Sequence, residues 1–181
     1  MTRIPPLPYD QMDEVAQKAF DTLEAYGSFA NWSRIAGRRA PILHHVAGML
    51  TELRDDDVLP RRALELAMVT VSKLNACTYC VSHHAPHLQV TGMSPEGVDR
   101  LPEVENHPEL DDCDKAVVRY SEAVNNRAGR MRDAEVSDLR QWFDEAQIVE
   151  LTWRIALCGA FNRFNDALQL NVEDEVDEVQ A

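Results

Sequence analysis

The run RALELAMVTVSKLN, residues 62–75, constrains this chain more than any other stretch. Leu64, Ala67, Met68, Val71 and Leu74 recur at steps of three and four, one apolar face of a 3.6-residue helix, and Leu66 and Val69 widen that face. A helix apolar on more than one side has to be surrounded by other elements, so the fold must be built around it. No segment alternates apolar and polar residues in the strand manner over more than a few positions. The pattern predicts an all-α protein.

Further helices follow from the same spacing and from capping residues. The proline-rich start, about residues 1–9, predicts an extended arm; Met12, Val15, Ala16, Ala19, Phe20 and Leu23 then mark a helix stopped by Gly27. After a short, irregular or helical link in FANWSRIAGRR, Pro41 opens APILHHVAGMLTELR, and the acids Asp55 to Asp57 end it. Pro60 opens the helix described above. CTYCVSHHAPHLQVTG, closed by Gly92, comes directly after it, with a kink expected at Pro86. Ser94, Pro95 and Glu96 read as the cap and first turn of a short helix. LDDCDKAVVRYSEAVNN, a segment capped by Asp133, and AQIVELTWRIALCGAFNRFNDALQL supply the rest. A length of 181 residues suits a single domain over 1–172, with an acidic, disordered tail at 173–181.

Composition excludes several classes. A net charge of −13 opposes non-specific nucleic-acid binding and attachment to an anionic membrane. No apolar run reaches the ~20 residues that span a bilayer, and the start lacks the apolar core of a secretory signal, so the expected compartment is the cytoplasm. Thiols stay reduced there, and a close cysteine pair points to redox catalysis or metal binding rather than to a permanent staple.

That pair is Cys77 and Cys80, one helical turn apart after the break at Asn75-Ala76. The exposed amides of a helix N-terminus stabilise a thiolate, which is the reactive form of cysteine. His84 falls one turn beyond Cys80 on the same face, and His83 and His87 share another. Glu65 is the only charge inside ALELAMVTV. If the two helices fold back around residues 75–76, Glu65 and His84 lie at levels differing by only ~3 Å, within reach of a direct or water-bridged hydrogen bond. Glu65, His84 and Cys80 would then relay protons. The rival readings of the pair are a zinc site, completed by His83, His84 or His87, and inert core cysteines. Zinc would normally draw its second ligand pair from a separate segment. His83 and His87 are expected at solvent or a subunit interface, one of His44 and His45 in the core or a pocket, Cys113 unreactive among acids, and Cys158 in the core.

Glu65, eleven residues, Cys77-x-x-Cys80, three residues and His84 together resemble the signature of the alkyl hydroperoxidase D branch of the carboxymuconolactone decarboxylase superfamily. Looser similarity extends through NWSRIAGRRAPIL, RALELAMVTVSKLNACTYC and FNRFNDAL. The resemblance implies an all-helical bundle whose helical hairpin carries the motif, assembled as a homo-oligomer, a trimer or hexamer. It implies Cys80 as the thiolate that attacks peroxide, Cys77 as the more exposed resolving cysteine, and His84 and Glu65 as the proton relay. The substrate would be an organic hydroperoxide and the partner an external dithiol, with no cofactor or metal needed. Tyr79 departs from the best-studied branch, which has a second histidine at that position. A carboxymuconolactone decarboxylase-like lyase or hydrolase is the alternative, disfavoured by the cysteine pair; a zinc-binding or scaffold protein is the third.

Overall fold

The computed structural model describes residues 2–27 and 29–173. Among them are nine α-helices, three short 3-10 turns and no strand, in agreement with the periodicity. The expected acidic tail lies, apart from Glu173, outside the described residues. The chain divides into two compact units, one running to Val58 and resuming at Asn165, the other covering Leu59–Phe164.

The first unit contains α1 (Glu14–Tyr26), α2 (Ala30–Ala36) and α3 (Ala40–Asp56). Asp13 caps α1 by accepting from the Ala16 amide at 2.8 Å, an interaction worth about 1 kcal/mol in such positions. Met12, Ala16, Ala19, Phe20 and Leu23 are buried, as are Leu43 and Ala47 of α3, and the two helices pack on each other. Val15 is exposed instead: it sits about 100° around the helix from Ala16, off the stripe that Ala16, Ala19 and Leu23 define. The N-terminal arm is extended but tied down. The Leu7 amide donates to the Arg34 carbonyl, and the Arg38 guanidinium donates twice to the Pro5 carbonyl. Asp57 ends α3 in the left-handed region at φ 48°, which aspartate tolerates better than most residues.

The second unit is assembled around α4 (Arg61–Leu74), whose residues from Leu66 to Ser72 are all buried. It packs against α5 (Thr78–Val90) and α7 (Asp112–Arg127), with α6 (Pro95–Arg100), α8 (Asp133–Leu139) and α9 (Glu145–Leu168) completing the set; the last residues of α9 belong to the first unit. The core joins Leu66, Val69 and Val71 to Leu88, Val117, Val118, Leu139, Leu151 and Ile155. Truncating a side chain so enclosed, such as Leu66→Ala, costs roughly 2–5 kcal/mol.

A polar side chain and a backbone turn fix the hairpin of α4 and α5. Arg62 grips both carboxylate oxygens of Asp114, Oδ2 at 2.7 Å and Oδ1 at 3.1 Å, and also donates to the carbonyls of Thr91 and Glu109. At the turn, Ala76 adopts φ 56° between Asn75, which closes α4, and Cys77, which precedes α5. Helix α5 continues through Pro86 as one element, so the proline does not end it. Arg132 rather than Asp133 precedes α8: its amide donates to the Glu135 carboxylate, and Asp133 becomes the first helical residue.

Candidate active site

The left-handed turn at Ala76 sets Cys77 at the cap position of α5 and Cys80 in its first turn. Their sulfurs are 3.0 Å apart, a hydrogen-bonding thiol contact rather than the ~2.05 Å of a disulfide. A small adjustment of the first turn would close the bond. The order of exposure is the reverse of the expectation: Cys77 is fully enclosed, at 0%, whereas Cys80 retains 6%. The capping residue points back toward the body of the unit, and its amide is held by the Ser72 carbonyl at 2.9 Å. The contact with Cys77 and burial push the Cys80 thiol well above its ordinary range, and a hydrogen bond with Asn162 pulls the other way.

Glu65 is buried on α4, and its Oε2 lies 2.8 Å from His84 Nδ1 on α5. The bond is direct. A carboxylate only accepts, so this bond uses the proton on Nδ1 and leaves Nε2 to face the rest of the site. Dyad and thiol pair lie on the same two helices, with His84 one turn past Cys80.

The remaining histidines sort differently from the sequence expectation. His83 is buried: its ring stacks on Tyr79 with centroids 4.4 Å apart, and Nδ1 meets the Tyr79 carbonyl at 2.7 Å. Two rings one helical turn apart can cover each other, which removes both from solvent. His87 is half-buried with its Nδ1 2.8 Å from Arg61 Nη2; burial chiefly, opposed by Glu65, holds its pKa below the ordinary histidine value. Both His44 and His45 are exposed, so neither is in the core; they pack on each other at 4.9 Å between centroids. Among the described residues no group of three or more His, Cys, Asp and Glu side chains is arranged to hold a metal ion.

Sequence reasoning missed a polar cluster behind the thiols. Asn162 of α9 is fully buried, accepts from Asn75 Nδ2 at 2.8 Å, and donates to Ser72 Oγ at 3.3 Å. Cys158, one turn earlier on α9, is buried as expected but contacts Ser72 Oγ at 3.4 Å and feels the charges of Cys77 and Glu65. Burial pushes its thiol up to about 11. The available signal was the set of polar residues, Ser72 and Asn162, interrupting otherwise apolar helices; nothing in the sequence pairs them.

Residues 41–106, which include the whole hairpin, match the model of the carboxymuconolactone decarboxylase family. No curated protein sequence matches the chain. Among solved structures, an uncharacterised peroxidase-related protein with an alkylhydroperoxidase AhpD core from Ralstonia eutropha is 16% identical with a TM-score of 0.77, covering 96% of this chain and 93% of its own. A peroxidase-related protein from Silicibacter is 18% identical with a TM-score of 0.77 over 97% of this chain and 93% of its own. The debrominase Bmp8, as a cysteine-to-alanine variant in complex with 2,3,4-tribromopyrrole, is 18% identical with a TM-score of 0.78 over 96% of this chain and 93% of its own. At these identities the structures establish a shared fold. The fold is thus alkyl hydroperoxidase D-like, and the family match falls on the hairpin that carries Glu65, Cys77, Cys80 and His84.

Proposed function

We propose that the protein is a thiol-dependent peroxidase that reduces organic hydroperoxides, with Cys77 and Cys80 as its two-electron carrier. The observation that supports this most is the conjunction of a 3.0 Å sulfur contact with a 2.8 Å Glu65–His84 bond one turn further along the same hairpin. The raised Cys80 thiol requires a base, and His84, oriented by Glu65, is the candidate one turn away. The Cys80 thiolate attacks the terminal peroxide oxygen, the O–O bond breaks, and the departing alkoxide takes the proton from His84 to leave as alcohol. Cys80 is then a sulfenic acid. Cys77 attacks that sulfur, its own proton joining the hydroxide that leaves as water, and a disulfide remains. An external dithiol restores both thiols by exchange, and the residual exposure of Cys80 favours attack at that sulfur. The sum is hydroperoxide plus dithiol giving alcohol, water and disulfide.

The same pair could pass its two electrons to a carbon–bromine bond, giving C–H, bromide and the disulfide, so a bromopyrrole belongs in the assay beside the hydroperoxide. Cumene hydroperoxide turnover with dithiothreitol is measured for the wild type, Cys80→Ser and Cys77→Ser. Expected is activity in the wild type, none in Cys80→Ser, and a trapped oxidised Cys80 in Cys77→Ser. A wild type that neither turns over nor loses two hydrogens by mass on adding peroxide defeats the reading. Turnover of a lactone acid that survives both cysteine substitutions would favour the lyase or hydrolase alternative.

We also propose that the protein assembles as a homo-oligomer. On the outer side of α9, Val149, Trp153, Ala156 and Ala160 are exposed at steps of four, three and four and form an apolar line. We assign this line to a contact between copies.

A further inference from the structure

Two residues beyond the Glu65–His84 pair, on the side away from the turn, have no part in the chemistry described so far. Arg61 opens α4, one turn before Glu65, and His87 lies on α5, one turn after His84. Arg61 Nη2 meets His87 Nδ1 at 2.8 Å, the same cross-hairpin contact that Glu65 makes with His84. A guanidinium only donates, so His87 Nδ1 accepts through its lone pair and the ring proton sits on Nε2. Burial of His87 favours that neutral ring. Among the described residues neither side chain makes another hydrogen bond or an ion pair. What the corner has left to offer a ligand is donors, the other N–H groups of Arg61 and the Nε2–H of His87. Arg61 also sits against the ordinary preference of a helix. The N-terminus of α4 carries two arginines, no acid in its first turn and no side-chain cap, although the helix dipole disfavours cations there. Arg62 is accounted for by Asp114. Arg61 is exposed and, in a chain with 31 acidic residues, has no carboxylate at ion-pair distance among those described; Glu65, one turn on, is held by His84.

We propose that Arg61 and His87 bind a carboxylate on the substrate, so that the hydroperoxide reduced at Cys80 is an organic acid whose charged end lies at the far end of the hairpin. The proposal deepens the peroxidase reading and rests on it for the identity of the reacting end. Cys80 and His87 are seven residues apart on α5, which sets the spacing between peroxide and carboxylate at about 10 Å. His84 falls between them, beside the bond to be broken. Arg61 supplies the charge and a planar fork suited to a carboxylate. His87 holds that fork through Nδ1 and adds the Nε2–H as a further donor. The half-buried position of His87 lessens the screening that solvent and salt impose on such a pair. The hairpin thus carries three functions in order along its length: thiols at the turn, proton relay one turn on, and recognition of the acid another turn beyond.

The probes are 9-hydroxydecanoate, whose oxygen and carboxylate stand at about that spacing, its methyl ester, and the two corresponding hydroperoxides. Binding of the hydroxy acid and of its ester is measured by calorimetry for the reduced wild type, Arg61→Gln, Arg61→Lys and His87→Leu, with thermal melting as a control for folding. Expected is a wild type that binds the acid about ten-fold more tightly than the ester, a preference that narrows with added salt. Arg61→Gln should lose the preference, while Arg61→Lys, which keeps the charge without the fork, and His87→Leu should each keep part of it. With the hydroperoxides, the same loss in Arg61→Gln should appear in KM for the acid rather than in kcat. A wild type that binds acid and ester alike, or a folded Arg61→Gln that keeps the preference, would overturn the proposal. The calorimetry needs no peroxide. A wild type that prefers the acid through Arg61 but reduces neither hydroperoxide would refute the peroxidase reading and leave the carboxylate site standing, whereas an active enzyme indifferent to the ester would refute the site alone.

Discussion

Glu65 shows how a single residue organises the site. A carboxylate in the most buried helix of the unit is tolerated because His84 Nδ1 meets it at 2.8 Å. Glu65→Gln keeps the shape and replaces the carboxylate acceptor, so His84 loses the partner that orients it. The expected result is peroxide turnover about 100-fold lower at neutral pH with the fold retained, measured by steady-state kinetics and thermal melting. Unchanged turnover would exclude the relay. The thiols impose a second pH dependence, on stability. Cys158 and Cys113 are each pushed up to about 11, chiefly by burial, and Cys80 is also raised. The folded state therefore keeps protons that the unfolded chain releases above the ordinary thiol value of 9.0. Stability is intact below that value and falls as pH rises from about 9 toward 11. Denaturant melts across that window should show the decline, and Cys158→Ala should make it shallower; an identical slope would mean that Cys158 does not contribute.

At the level of elements, the hairpin was readable because its determinants are local. Ten residues from Glu65 to the turn and eight from the turn to His84 fix their levels whatever packs around them. Asn162 was not readable, since its partners Ser72 and Asn75 lie 90 and 87 residues away in sequence. The buried face of α5 was misread for another reason: Tyr79 and His83 carry polar atoms, and their mutual stacking, which hides both, leaves no mark in an apolar periodicity. Val15 failed in the opposite sense, an apolar residue counted into a stripe from which its angle excludes it. The turn itself gives a prediction. Ala76 holds φ 56°, where a Cβ is crowded by about 1–2 kcal/mol. Ala76→Gly removes the crowding at some cost in unfolded-chain entropy, so a net gain of up to about 1 kcal/mol is expected. Ala76→Val should destabilise by more than that and shift the Cys77–Cys80 contact. Chemical denaturation of both variants, with the rate of disulfide formation as a second readout, checks the pair; a neutral valine would mean the turn is not strained.

For the molecule as a whole, the sequence expectation of a homo-oligomer depends on where apolar surface remains after folding. Most of α9 is spent inside the second unit, through Ile148, Leu151, Ile155 and Cys158. Glu150 and Arg154, though charged, are buried and paired with each other at 3.2 Å, so they do not offer that helix's outer face a charge. What faces outward is Val149 at 69% exposure and Trp153 at 50%, followed by Ala156 and Ala160. From Val149 to Ala160 the line runs about 16 Å, and its two alanines would let a second backbone approach closely. Trp153 is the anchor, a large side chain of the type that dominates interface energetics. A chain with a net charge of −13 resists self-association through most of its surface, so a single charge placed on this line should be decisive. Trp153→Glu is therefore expected to convert the assembly to monomers in light scattering while the Glu65–His84 pair and the fold remain, with a melting temperature that no longer depends on protein concentration. A wild type that is already monomeric at micromolar concentration, or a Trp153→Glu variant that keeps the wild-type mass, would move the contact between copies off this helix.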